Sequence, residues 1–132
     1  MAGIANLANE LETFETGMDS VVIRRKGGRI IGGRTLDMTG FAEDVVKAGH
    51  IIIQSTEDES VFKPMPVSDG AYSALPSNYQ YVGVLVRTIT KKDPRAAIQY
   101  DGEINDEALP YSISAIKTAL KTALPSLYFM HD

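Results

Sequence analysis

The sequence predicts a mainly β chain with a minor helical part, folded as one compact β-barrel-like domain. Three observations predict it. Residues 79–89, YQYVGVLVRTI, are apolar on both faces of a strand: Val82, Val84 and Val86 point one way, Tyr81 and Leu85 the other. Residues 95–105, RAAIQYDGEIN, alternate. Ala96, Ile98 and Tyr100 share one face, and Ala97, Gln99, Asp101 and Glu103 share the other, with an Asp101-Gly102 turn signal. A firm helical period occurs near the C-terminus, over residues 113–124. Neither strand run positions a nucleophile or a base, so the pair reads as a scaffold that presents surfaces.

Residues 1–20 form an N-terminal arm, acidic and without a basic residue. Ile4, Leu7, Leu11 and Phe14 recur at helical spacing, and Gly17 would end a helix there. At this length a helix is marginal unless it docks, so the arm reads as a partner-docking helix or as a frayed terminus. Residues 21–132 are the β-rich domain. VVIRR is a strand candidate, Gly27-Gly28 a turn, and residues 29–31 its continuation before Gly32-Gly33. Phe41 to Lys47 reads as a helical turn or a loop before Ala48-Gly49.

HIIIQ is a buried strand and TEDE a solvated turn. SVFKPMPV is extended, and Pro64 and Pro66, which lack a donor, place it at a sheet edge. Asp69 to Asn78 is a turn-rich loop. Ser112 is the predicted N-cap of the helix. Ile113, Ile116, Leu120, Ala123 and Leu124 make its apolar stripe, Lys117 and Lys121 lie opposite, and Pro125 stops it. LYFM is the last strand.

Composition narrows the function classes. A chain of 132 residues can bury a core without disulfides, and with no cysteine it has no thiolate catalysis and no cysteine-zinc site. No apolar run approaches the roughly 20 residues that span a bilayer. The acidic start is not a secretory signal, which implies a cytoplasm-like compartment. A net charge of -4 argues against a dedicated nucleic-acid binder.

The densest basic run is Arg24, Arg25, Lys26, Arg29 and Arg34. It suits phosphate contact, a hairpin with solvated charges, or attraction to an acidic protein surface, including residues 1–20 of a neighbour. GRIIGGRT, residues 28–35, resembles a phosphate-binding loop only superficially. Arg34 stands where the lysine is required, and no helix start follows. His50 and His131 give no metal-ligand spacing and read as structural or surface histidines. The carboxylates of TEDE and of Glu103, Asp106 and Glu107 read as solvated turns rather than acid/base pairs. Tyr72, Tyr79 and Tyr81 sit among apolar residues, which favours packing over base stacking. No serine has a nucleophile-elbow context.

The order of features carries one resemblance. AGHIII is followed by FKPMPV, DGAYSA, GVLVRTI and AAIQYDGEIN, then LP, a short helix and a last apolar strand. This order resembles the head-decoration proteins of tailed bacteriophages, in the lambda decoration-protein family and the related head-fibre proteins. It covers about residues 45–132, and its strongest element is GVLVRT followed, after a polar connector, by AAIQYDGEIN. Residues 1–34 lie outside it.

The resemblance implies a small β-tulip-like domain on the outside of an assembled capsid. It implies trimers at local threefold axes, an arm that touches the major capsid protein, and a further head-fibre protein as a possible neighbour. The expected protein is thus a structural virion component, made in a bacterial cytoplasm, with no catalysis, no cofactor, no metal and no membrane contact. Its expected partner-binding residues are Ile4, Leu7, Leu11, Phe14, Arg24, Arg25, Lys26 and Arg29. The alternative is a small nucleic-acid-binding β-barrel that uses Arg24 to Arg34 and the tyrosines.

Overall fold

The computed structural model describes residues 19–131, so Ile4, Leu7, Leu11 and Phe14 lie outside the described residues. The chain order is α1 (Asp19–Val22), β1 (Ile23–Arg25), β2 (Arg34–Thr35), β3 (Val45–Val46), β4 (Ile51–Ser55), β5 (Phe62–Pro64), β6 (Val67–Ser68) and β7 (Ala71–Tyr72). It continues with β8 (Tyr79–Leu85), β9 (Ile89–Thr90), β10 (Arg95–Ala96), β11 (Ile98–Gln99) and β12 (Gly102–Asn105). A 3-10 helix (Asp106–Ala108), α2 (Lys117–Ala123) and β13 (Leu127–Met130) complete it. The chain is mainly β, with a curled half-barrel sheet and one helix near the C-terminus.

The centre is a four-stranded antiparallel sheet in the order β11-β8-β4-β5. Ile51, Ile52 and Ile53 of β4 have no exposed surface. Their continuous apolar run fits a strand covered on both faces. Ile51 and Ile53 join one core cluster with Val84, Ile104, Leu120, Leu127 and Phe129. Ile52 joins a second with Leu36, Phe62, Leu85, Ile89 and Ile98. β5 lies at the sheet edge, with Pro64, which has no amide to donate, opposite Ile52.

A second sheet has the order β1-β12-β13. β12 and β13 run parallel, with Ile104 beside Phe129. A parallel pair needs a crossover, which α2 supplies. Leu120 of α2 is fully buried in the first cluster, so the helix roofs that core. Three short two-stranded pairs, β10-β2, β3-β9 and β6-β7, complete the strand pairing among the described residues.

Several expectations are corrected. Tyr81 pairs with Ile53 and Gly83 with Ile52, so Val82 is an extra residue in β8. This bulge flips the alternation. Val84 therefore shares the Tyr79 and Tyr81 side, while Val82 shares the Leu85 side. A Cβ on Gly83 would lie 2.3 Å from the Gln99 carbonyl oxygen, so only glycine lets β11 approach here.

VVIRR is not one strand. Val21 and Val22 belong to α1, because Asp19 accepts hydrogen bonds from the Thr88 backbone amide (2.8 Å) and hydroxyl (2.7 Å) and draws that turn inward. Gly27-Gly28 is not a turn, since the chain runs on beside residues 100–101. Phe41 to Lys47 contains β3. The helix begins at Lys117 rather than near Ile113, because the Ser112 hydroxyl accepts from the Ser114 amide (3.2 Å) and caps a separate turn. Ala123 of the predicted stripe is exposed. The 95–105 run is broken into three short strands, with Gln99 buried and Tyr100 44% exposed, the reverse of the expected faces.

Candidate interaction surface

The outer face of the β1-β12-β13 sheet is built by alternation. Ile23, Ile104, Leu127 and Phe129 turn inward against the first core cluster. Glu103, Asn105, Tyr128 and Met130 fall on the other face, where Glu103 neighbours Tyr128 and Asn105 neighbours Met130. Tyr128 is 53% and Met130 40% exposed.

On β1 the register shifts between Ile23 and Arg25, so two consecutive arginines approach one acid. Arg25 Nε lies 3.2 Å and Arg24 Nε 3.9 Å from opposite oxygens of Glu103. Lys26 follows, exposed. β13 is the outermost strand of its sheet among the described residues. A groove of about 350 Å³ runs along it, lined by Lys121, Pro125, Leu127, Tyr128, Phe129 and Met130.

The 29–35 loop makes a second feature. Ile31 at its tip is 94% exposed. Gly32 and Gly33 hold φ of 78° and 67°, in the left-handed region where glycine is favoured. The Gly33 amide donates to Ile30 and the Ile30 amide to Ile98. Arg34 folds back to donate to the carbonyls of Ile31 (3.1 Å) and Gly33 (2.6 Å), with its guanidinium 5.5 Å from the Phe62 ring centre. The tip is therefore a braced apolar knob.

The basic run thus divides by contact. Arg24 and Arg25 share Glu103, Arg29 donates to Gln99 (3.1 Å), and Arg34 braces its own loop. Several of these cations serve the fold, which a count of basic residues could not reveal.

A third feature is an aromatic cluster around His50. Its ring meets Phe41, Tyr72 and Tyr111 edge-on, with centroids 5.2–5.7 Å apart. His50 is 1% exposed and its Nε2 pairs with the Met65 carbonyl at 2.9 Å. Burial pulls its pKa down to about 4, against the smaller upward effect of that hydrogen bond, so the ring is neutral near pH 7. The Tyr72 hydroxyl accepts from the Ile51 amide (3.0 Å), and burial pushes its pKa up. A cleft of about 270 Å³ opens beside Phe41, Glu43, Asp69 and Tyr111. His50 and Tyr72 are thus packing residues.

His131 differs, since its two ring nitrogens contact Asp106 (2.8 Å) and Glu107 (2.9 Å). Lys117 reaches the other Asp106 oxygen at 3.2 Å. Burial would raise the Asp106 carboxyl, but its bonds to His131 and Lys117 outweigh that and hold it below the usual range. Asp106 is therefore an ion-pair node rather than a solvated turn carboxylate. Among the described residues no group of three or more His, Asp or Glu is arranged to hold a metal. No helix there is long and apolar enough to cross a membrane.

Arg24, Arg25, Lys26 and Arg29 were singled out from sequence; Ile31, Tyr128, Met130 and Gln99 were not. The period-two pattern of LYFM marks Tyr128 and Met130 as the outward pair once the last strand is assigned, so that signal was present. Ile31 carried none, because an isoleucine between glycines reads as strand. No family model, curated protein or solved structure matches this chain.

Proposed function

We propose that this chain is a structural virion protein that decorates and stabilises the outer surface of a bacteriophage capsid. In this reading it binds the major capsid protein as a homo-oligomer, a trimer by family resemblance, with a further head-fibre protein as a possible neighbour. It is made in a bacterial cytoplasm, ends on the capsid surface, and performs no catalysis. Support comes from the resemblance over residues 45–132 and from a β-rich domain with one helix near its C-terminus, the architecture that resemblance implies.

The observation that carries the reading is Ile31. An isoleucine left 94% exposed is common singly, but this one crowns a loop already fixed by Arg34 and two glycines. Burying it in a partner would recover about 2 kcal/mol at little ordering cost. Such a knob suits a rigid, repeated contact on a capsid lattice, where symmetry multiplies a modest single-site affinity.

The test is titration of the purified protein onto capsids that lack it. Saturable binding is expected, weakened about tenfold or more by Ile31→Asp without loss of folding. Equal binding by Ile31→Asp would remove the loop from the contact. No saturable binding by the unaltered chain would remove the reading, and steeply salt-dependent binding to single strands would favour the nucleic-acid alternative.

A further inference from the structure

We propose that the cleft beside Tyr111 is a recognition site for an arginine side chain of a partner protein. The cleft encloses about 270 Å³ and is lined by Phe41, Glu43, Pro66, Val67, Asp69 and Tyr111, among others. Sites that take whole small-molecule ligands begin at about 300 Å³. The space therefore suits one long side chain. Phe41, Pro66, Val67 and Tyr111 are half-buried, so apolar surface remains open to a partner.

The walls are set before anything binds. Asp69 and Gly70 form the two-residue turn between β6 and β7, where Ser68 pairs with Ala71. Both hold positive φ, 53° and 77°, as the tightest hairpin turns require. The Ser73 amide donates to the Pro66 carbonyl (2.9 Å) and closes the base of the same hairpin. The Tyr111 ring is packed by Tyr72 and His50, with centroids 5.4 and 5.7 Å away, and Phe41 is packed by His50 at 5.5 Å. A ligand meets a built site and orders little on entry.

The chemistry selects a cation with an apolar stem. Glu43 and Asp69 are exposed, and among the described residues no ion pair takes either of them. The Glu43 charge is felt at the aromatic wall: burial first, and Glu43 second, push the Tyr111 hydroxyl upward. His50, which packs against both rings, is neutral near pH 7 and adds no opposing charge. Lys91 donates to the Phe41 carbonyl (2.8 Å) but does not line the cleft. Arginine answers both halves. Its methylenes can lie along Phe41, Pro66 and Val67. Its planar head carries five donors, enough for two carboxylates, and packs on aromatic rings. This inference goes beyond capsid binding and holds or fails without it.

The test is a titration of the full chain with N-acetyl-arginine-N-methylamide, followed by amide chemical shifts. Saturable shifts are expected at residues 40–43, 67–70 and 111, with a Kd in the millimolar range. The citrulline counterpart has the same shape without the charge and should bind about fivefold more weakly. Glu43→Gln should weaken the arginine probe by a similar factor. So should Asp69→Asn, which keeps the turn because asparagine tolerates positive φ.

Both substitutions are at exposed positions, and unchanged shifts elsewhere would confirm the fold. Failure to saturate, shifts scattered over the surface, or equal binding of the citrulline probe would overturn the proposal. So would a Glu43→Gln, Asp69→Asn double variant that binds as well as the natural chain. Equal saturation by guanidinium ion alone would overturn the side-chain assignment, because the apolar wall would then add nothing.

Discussion

The Arg29 guanidinium donates to the Gln99 side-chain oxygen at 3.1 Å, while the Gln99 amide nitrogen donates to the Arg25 carbonyl at 3.0 Å. Gln99 is fully buried on β11, and its side chain helps tie the β1 segment to the central sheet, beside the backbone bond from Ile30 to Ile98. The buried amide is tolerated because both of its ends are bonded.

Removing it leaves two groups without partners. Gln99→Leu should cost about 2 kcal/mol, since the Arg25 carbonyl and the Arg29 donor lose their bonds together. Urea unfolding checks this. A loss below about 0.5 kcal/mol would show that water replaces the amide.

Gly83→Ala should cost about 3 kcal/mol. Its new methyl would meet the Gln99 carbonyl oxygen at 2.3 Å and the carbonyl carbon at 2.9 Å, both backbone atoms that cannot swing aside. The strain should separate β11 from β8, which faster amide exchange in residues 98–99 would report. Unchanged stability would contradict the close approach.

His50 predicts how stability depends on pH. Its folded pKa, about 4, lies below the ordinary 6.5, so between these values the unfolded chain binds more protons. The contribution is complete above about pH 6.5 and is lost as pH falls toward 4, totalling on the order of 3 kcal/mol. His50→Gln keeps a donor for the Met65 carbonyl and removes the titration. Its unfolding free energy should therefore fall less between pH 6.5 and 4.5 than that of the natural chain, as paired denaturant titrations would show. Equal slopes would mean that His50 is not the group responsible.

Self-association follows from the proposed assembly. Light scattering at micromolar concentration should give a mass above the 14.4 kDa of one chain. A monomer both free and on capsids would contradict the oligomeric part of the reading.

Much of the architecture was legible because its signals are local. The β4 isoleucines, the β5 proline and the alternating LYFM need no knowledge of neighbours. The outer sheet face was half legible: the arginines were visible, but their common partner Glu103 lies more than seventy residues away. The rest depended on tertiary pairing. Asp19 reaches Thr88 and makes a helical turn from valines that favour strand. One inserted residue at Val82 reversed every face after it, a change that composition cannot mark. Gln99 looked solvent-facing by period, and only the convergence of Arg25 and Arg29 on it explains its burial.

Electron microscopy of virions that contain this chain would show whether it coats the capsid. Regularly repeated density that fits the β domain is expected on the outer capsid surface, with the Ile31 loop against the major capsid protein. A virion surface without such density, or the chain found inside with the genome, would contradict it.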